Sequence, residues 1–131
     1  MKTNRRIFVA AAFAATVSAL LPTVAMAGEY LGSYVARLSD TDHYASDGYP
    51  LTSAAAIVRQ DRANYHRFGR VDRGDEYDPW FRSNESRARL QSMLERPGAI
   101  DGATRRAIVN GEPLIEVEVY RSSVRVRILR Y

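Results

Sequence analysis

The chain has no cysteine in its 131 residues. Disulfides, thiolate metal sites, cysteine nucleophiles and lipoprotein processing are excluded with it. Lysine is nearly as scarce, with Lys2 the only one. Beyond the first residues, then, no lysine can form a Schiff base or act as a general base. The sequence carries no Gly-x-Ser-x-Gly, no phosphate-binding P-loop and no Gly-x-Gly-x-x-Gly. Histidine occurs twice, at His43 and His66. No internal repeat or low-complexity tract is visible, and the one long apolar run lies near the start.

That run belongs to a leader. MKTNRR is basic, and IFVAAAFAATVSALL has signal-peptide length, short of the roughly 20 residues that span a bilayer. Ala25-Met26-Ala27 is a small-residue cleavage site, so cutting is expected between Ala27 and Gly28. Asn4-Arg5-Arg6-Ile7-Phe8-Val9 resembles a twin-arginine export signal, with Val9 in place of the usual Leu and Ala10 where Lys is common. The resemblance covers only the leader and implies folding before export. Sec export, which also tolerates paired basic residues, is the alternative. The expectation is an exported bacterial protein, periplasmic or secreted. Residues 1–27 are removed, 28–131 form one small domain, and no stable membrane span is left after processing.

Removing the leader changes the charge. It holds three of the 19 cationic residues and none of the 15 acids, so residues 28–131 carry 16 arginines and a formal charge of +1. Nucleic acid is excluded as a partner, because its binding needs a surplus of cations to displace counterions.

Residues Tyr30 to Leu38 alternate and favour β structure, which predicts a strand. Ser39 to Pro50 reads as a loop. Leu51 to Gly69 is expected to be the longest helix, capped by Thr52 or Ser53, stapled by Leu51 and ended by Gly69. At about 100° per residue, Ala54, Ile57, Val58, Tyr65 and Phe68 share one apolar arc, and Asp61 falls in its middle. Arg62 is expected to project sideways from that arc. Arg70 to Pro79 reads as a solvated acidic loop. A second helix should run from Ser83 or Asn84 to about Arg96, with Leu90, Met93 and Leu94 inward. Asp101 should cap a third, roughly Gly102 to Val109.

The C-terminus carries the strongest β pattern. Folding it about Arg121-Ser122 pairs Val119 with Val124, Val117 with Val126 and Ile115 with Ile128 on one face. Glu118 then meets Arg125, and Glu116 meets Arg127, on the other. The predicted fold is α+β: a small three-stranded antiparallel sheet, made of the N-terminal strand and the C-terminal hairpin, packed on one face by about three helices. The long helix is expected to lie on the valine face of the hairpin.

Four groups of residues are candidate sites. Asp61 cannot stay ionised in the core without a partner. It is either a structural tie, to Arg37 or to the amides of the 39–50 loop, or a tuned carboxylate acting with His43 or His66. Asp40, Asp42, His43 and Asp47 have metal-ligand chemistry without a metal motif's spacing. Asp72, Asp75, Glu76 and Asp78 offer oxygen ligands for calcium. Arg59, Arg62, Arg67 and Arg70 could grip an anion or a partner, or form a solvent face. No cofactor is implied. The balance favours a non-enzymatic periplasmic domain that binds a partner protein or envelope component. Its rival is a small enzyme or metal- or ligand-binding protein using Asp61 with His43 or His66.

Overall fold

The computed structural model describes residues 28–131, so the expected leader and its cut lie outside the described residues. In chain order the elements are β1 (Tyr30–Arg37), a 3-10 helix (Asp40–His43), α1 (Ala54–Phe68), α2 (Asn84–Leu94), α3 (Gly102–Asn110), β2 (Leu114–Tyr120) and β3 (Val124–Arg130). The fold is α+β. The strands form one antiparallel sheet in the order β1-β2-β3. The hairpin adopts the register that its alternation demands, with Val117 opposite Val126, Ile115 opposite Ile128 and Glu116 opposite Arg127.

One face of the sheet is buried. Tyr34 and Ala36 of β1, Ile115, Val117 and Val119 of β2, and Val124 and Val126 of β3 join Ile57, Val58, Phe81, Leu90, Leu94 and Ile108 in a single core. The long helix contributes to that core but shares the sheet with its neighbours. It approaches α2, α3 and the 3-10 helix, while α2 and α3 are the helices drawn up against β3.

The helix ends follow local chemistry. Ser53 caps α1, its hydroxyl accepting from the Ala56 amide at 3.3 Å. Gly69 ends the helix at φ 64, with its amide donating to the Asn64 carbonyl. Ser83 caps α2, accepting from the Ser86 amide, and Asp101 caps α3, accepting from the Thr104 amide at 2.7 Å.

Three expectations need correction. The 39–50 segment is not wholly irregular, because Ser39 and Asp42 close a turn of 3-10 helix; the Ser39 amide donates to Asp42 Oδ2 at 2.8 Å. Phe68 is 40% exposed, and Arg62 is wholly buried. The inward arc of α1 is therefore displaced toward Arg62 and Asn64, because both find buried acids. The acidic loop is not solvated throughout. It runs along the free edge of β1, where the Glu76 amide donates to the Val35 carbonyl at 2.8 Å. The Arg37 amide in turn donates to Asp75 Oδ1 at 2.8 Å. An otherwise unpaired strand edge is thereby covered.

Gly32 sits at the irregularity in the β1–β2 register, beneath Trp80. A Cβ there would lie 2.7 Å from the indole, on a backbone with φ 152. Gly32→Ala is therefore expected to destabilise the fold by about 1–3 kcal/mol. Urea unfolding checks this; a midpoint equal to the parent's would show that the indole moves freely.

Candidate functional site

Asp61 and Arg62 sit side by side on α1, 1% and 0% exposed. Arg62 Nε donates to Asp61 Oδ2 at 2.7 Å. Its Nη1 donates to Asp78 Oδ2 and to the Glu76 carbonyl, both at 3.0 Å. The guanidinium carbon stands 4.5 Å from the ring centre of Tyr34 and 4.6 Å from that of Tyr65. A planar cation held by two aromatic faces and two carboxylates suits arginine and no other side chain. The partner of Asp61 is thus its own neighbour, not Arg37. Arg37 instead donates its Nη1 to the Glu112 carbonyl at 2.9 Å.

Asp78 is wholly buried and fully used. Its Oδ1 accepts from the Trp80 and Phe81 amides at 3.0 and 2.7 Å. Its Oδ2 accepts from Arg62 and meets His66 Nε2 at 2.8 Å. Burial acts to raise its pKa, but bonds from His66, Arg62 and the Phe81 amide hold it below the usual carboxylate range. His66 thereby joins Asp61 only through Asp78 and Arg62. His43 does not join them: its Nδ1 meets the Ser39 carbonyl and its Nε2 the Ile108 carbonyl, both at 2.9 Å.

The structure brings together one acid from each of three separate stretches. Single oxygens of Asp42, Asp61 and Asp72 all lie within 4.8 Å of one another. Asp42 is held there by the buried Asn64, whose amide nitrogen donates to Asp42 Oδ1 at 2.8 Å. The Ser39 hydroxyl donates to Asp72 Oδ2 at 2.7 Å and stands 3.2 Å from Asp42 Oδ2. The Asp72 amide donates to Asp75 Oδ2 at 2.7 Å, which fixes the turn. Burial pushes the Asp42 carboxyl up to about 6, against the bonds from Asn64 and Ser39. Burial likewise holds Asp61 well above its ordinary range despite the pull of Arg62. Asp61 Oδ1, Arg62 Nη2 and the Tyr34 hydroxyl are buried without a hydrogen-bond partner. Of the candidate set Asp40, Asp42, His43 and Asp47, only Asp42 belongs to this cluster, and of the acidic-loop set only Asp72. Asp40 and Asp47 are exposed on the surface, and the Asp47 carboxylate accepts from the Tyr49 amide.

A second feature lies between α1 and α2. Arg59, Arg67 and Arg87 line a groove of about 450 Å³, together with Gln60, Asn84 and Gln91. Arg59 donates to Gln91 Oε1 at 2.9 Å and to Asn84 Oδ1 at 3.3 Å, both neutral groups. Arg87 is buried, and its Nη1 donates to the Phe81 and Arg82 carbonyls. Burial first, then repulsion from Arg59 and Arg67, lowers its pKa from the ordinary value. Arg62, expected in this set, faces inward instead. Arg70 lies beside Phe68, 5.4 Å from its ring centre, away from the groove lining. The sequence reading missed Arg87, although it stands three and seven residues before Leu90 and Leu94 and so on their stripe. It also missed Ser39, whose link to Asp72 crosses 33 positions.

Comparison with known proteins returns no matching family, no matching curated protein and no matching solved structure. Among the described residues, no helix is long and apolar enough to cross a membrane.

Two outcomes follow from the buried network. Arg62→Leu leaves Asp61 without a partner and strips Asp78 of its arginine, and is expected to cost about 3–5 kcal/mol, whereas Arg67→Ala should change stability by under about 0.5 kcal/mol. Chemical denaturation of both variants checks the contrast; equal losses would contradict it. The second outcome concerns pH. Asp42 and Asp61 have raised folded-state pKa values, so between about pH 7 and 4 the folded state takes up protons that the unfolded chain does not. The lowered pKa of Asp78 acts in the opposite direction, but only below about pH 4. In chelator-containing buffer, stability should therefore rise on going from pH 7.5 to pH 5, by on the order of 1 kcal/mol from Asp42 alone. A lower urea midpoint at pH 5 would contradict this.

Proposed function

We propose that the chain is a non-enzymatic exported binding domain that holds an acidic segment of a periplasmic partner protein in the groove between α1 and α2. The observation that carries this is the set of three guanidinium groups around one groove. None of the three forms a salt bridge among the described residues. Their mutual repulsion is a standing cost that a bound carboxylate relieves. Guanidinium forks match carboxylates in pairs. The amides of Gln60, Asn84 and Gln91 can bond a peptide backbone, and Leu51, Ala56 and Ala63 offer apolar contact beside them. Asp47 at the groove is its one acid and sets a limit to the ligand's charge. Export rests on the leader pattern.

The enzymatic rival has less support. Asp61 is too deeply buried to meet a substrate. His43 is engaged by two carbonyls, and His66 reaches Asp61 only through Asp78 and Arg62.

Fluorescence anisotropy with a labelled hexaglutamate peptide, and a hexaglutamine control, tests the proposal. The glutamate peptide should bind, and its affinity should fall with added salt. The double variant Arg59→Ala/Arg67→Ala should weaken binding by about tenfold or more while keeping the parent's melting temperature. Equal binding of the two peptides, or unchanged affinity in the double variant, overturns it.

A further inference from the structure

We propose that Asp42, Asp61 and Asp72 form a structural binding site for a calcium-class divalent cation, independent of the arginine groove. The first ground is geometry. One oxygen from each carboxylate lies within 4.8 Å of the other two. Opposite ligands of a calcium ion stand about 4.6–5.2 Å apart and adjacent ones about 3.4 Å, and the separations among the three oxygens do not exceed that span. The Ser39 hydroxyl, already against Asp42 and Asp72, supplies a fourth oxygen at the same place.

The second ground is an oxygen with nothing to bind. Asp61 is 1% exposed, and its Oδ2 is taken by Arg62 Nε. Its Oδ1 is buried without a partner. A neutral amide or water-like donor would satisfy that atom alone. A cation satisfies it together with the two carboxylates nearby.

Charge gives the third ground. Asp42, Asp61, Asp72, Asp75 and Asp78 crowd into one region of the fold. Among the described residues, Arg62 is the arginine whose side chain reaches any of them. Arg62 serves Asp61 and Asp78 and leaves Asp42 and Asp72 without a cation. A divalent ion at the cluster corrects that imbalance.

The donor set names the ion. Oxygen-only carboxylate ligation selects hard cations over zinc or copper. Magnesium sheds water reluctantly and keeps several waters. Magnesium also demands a near-ideal octahedron, whereas calcium accepts irregular placement of its oxygens, with waters on the side of the half-buried Asp72 completing its shell. An ion here fastens the 3-10 helix, α1 and the 72–78 loop to one another, three segments far apart in the chain.

The test is isothermal titration calorimetry and thermal melting of the purified protein, stripped with chelator and titrated with CaCl₂, MgCl₂ or ZnCl₂. Calcium should bind with one-to-one stoichiometry and raise the melting temperature. Asp61→Asn and Asp72→Asn should each lose at least tenfold in calcium affinity while keeping the parent's circular dichroism spectrum. Asp72 is only half-buried, so its variant reports even if Asp61→Asn fails to fold. Absence of stoichiometric calcium binding overturns the site. So does tighter binding of magnesium or zinc than of calcium, or parental calcium affinity in Asp72→Asn. Glutamate-peptide binding to the groove is read separately, so failure of either proposal leaves the other standing.

Discussion

A guanidinium group with no exposure to water holds this fold together. Arg62 lies between the rings of Tyr34 and Tyr65, bonds Asp61 beside it on α1, and reaches Asp78 across the loop. Its contacts outside α1 recruit β1 and the 70–79 loop. Tyr34 belongs to β1, Asp78 anchors the turn into Phe81, and the Glu76 carbonyl fixes the strap along the sheet edge. An apolar residue at this position would fill the space but would leave Asp61 without a partner and Asp78 with only His66 and two backbone amides. Desolvating three charges is costly, and the geometry recovers that cost only where the carboxylates also accept backbone amides or further side chains. Asp78 meets that condition completely. Asp61 does not, because its one bond is to Arg62 itself and its Oδ1 has no partner.

The buried polar network and the valine-faced sheet divide the work of folding. The sheet and Phe81, Leu90, Leu94 and Ile108 supply the non-directional burial that drives collapse. The Arg62 network sets how α1 rotates on that core. Its demand for Arg62 and Asn64 to face inward turns Phe68 outward, where Arg67 and Arg70 stack against it. The same rotation carries Arg59 and Arg67 to the side facing α2. Position of the surface arginines is thus a consequence of the buried one.

Much of the fold was legible because it is written in local periodicity. Ser53, Ser83 and Asp101 announce helix starts by their own hydroxyl and carboxylate chemistry. The hairpin register follows from valine alternation, since a slip by one residue would set valines against charges. The candidate sites were less legible. Asp61 stood out as a charge on an apolar arc, but its partner was missed because helical angle alone sets Arg62 sideways from that arc. Adjacent residues on a helix diverge by about 100°, and a long arginine can still curl back to its neighbour. The meeting of Asp42, Asp61 and Asp72 depends on chain reversals that no local pattern encodes. Each residue drew attention within its own stretch, and only the tertiary fold unites them.

The central claim is that Arg62 is a locked, water-excluded tie and not a surface arginine. Hydrogen exchange of arginine Nε–H groups, followed by ¹⁵N-resolved NMR at neutral pH, tests it most directly. The account predicts one slowly exchanging Nε–H signal, assigned to Arg62, with cross-relaxation to the ring protons of Tyr34 or Tyr65. An Arg62 Nε–H that exchanges with water as fast as that of Arg67 would contradict it.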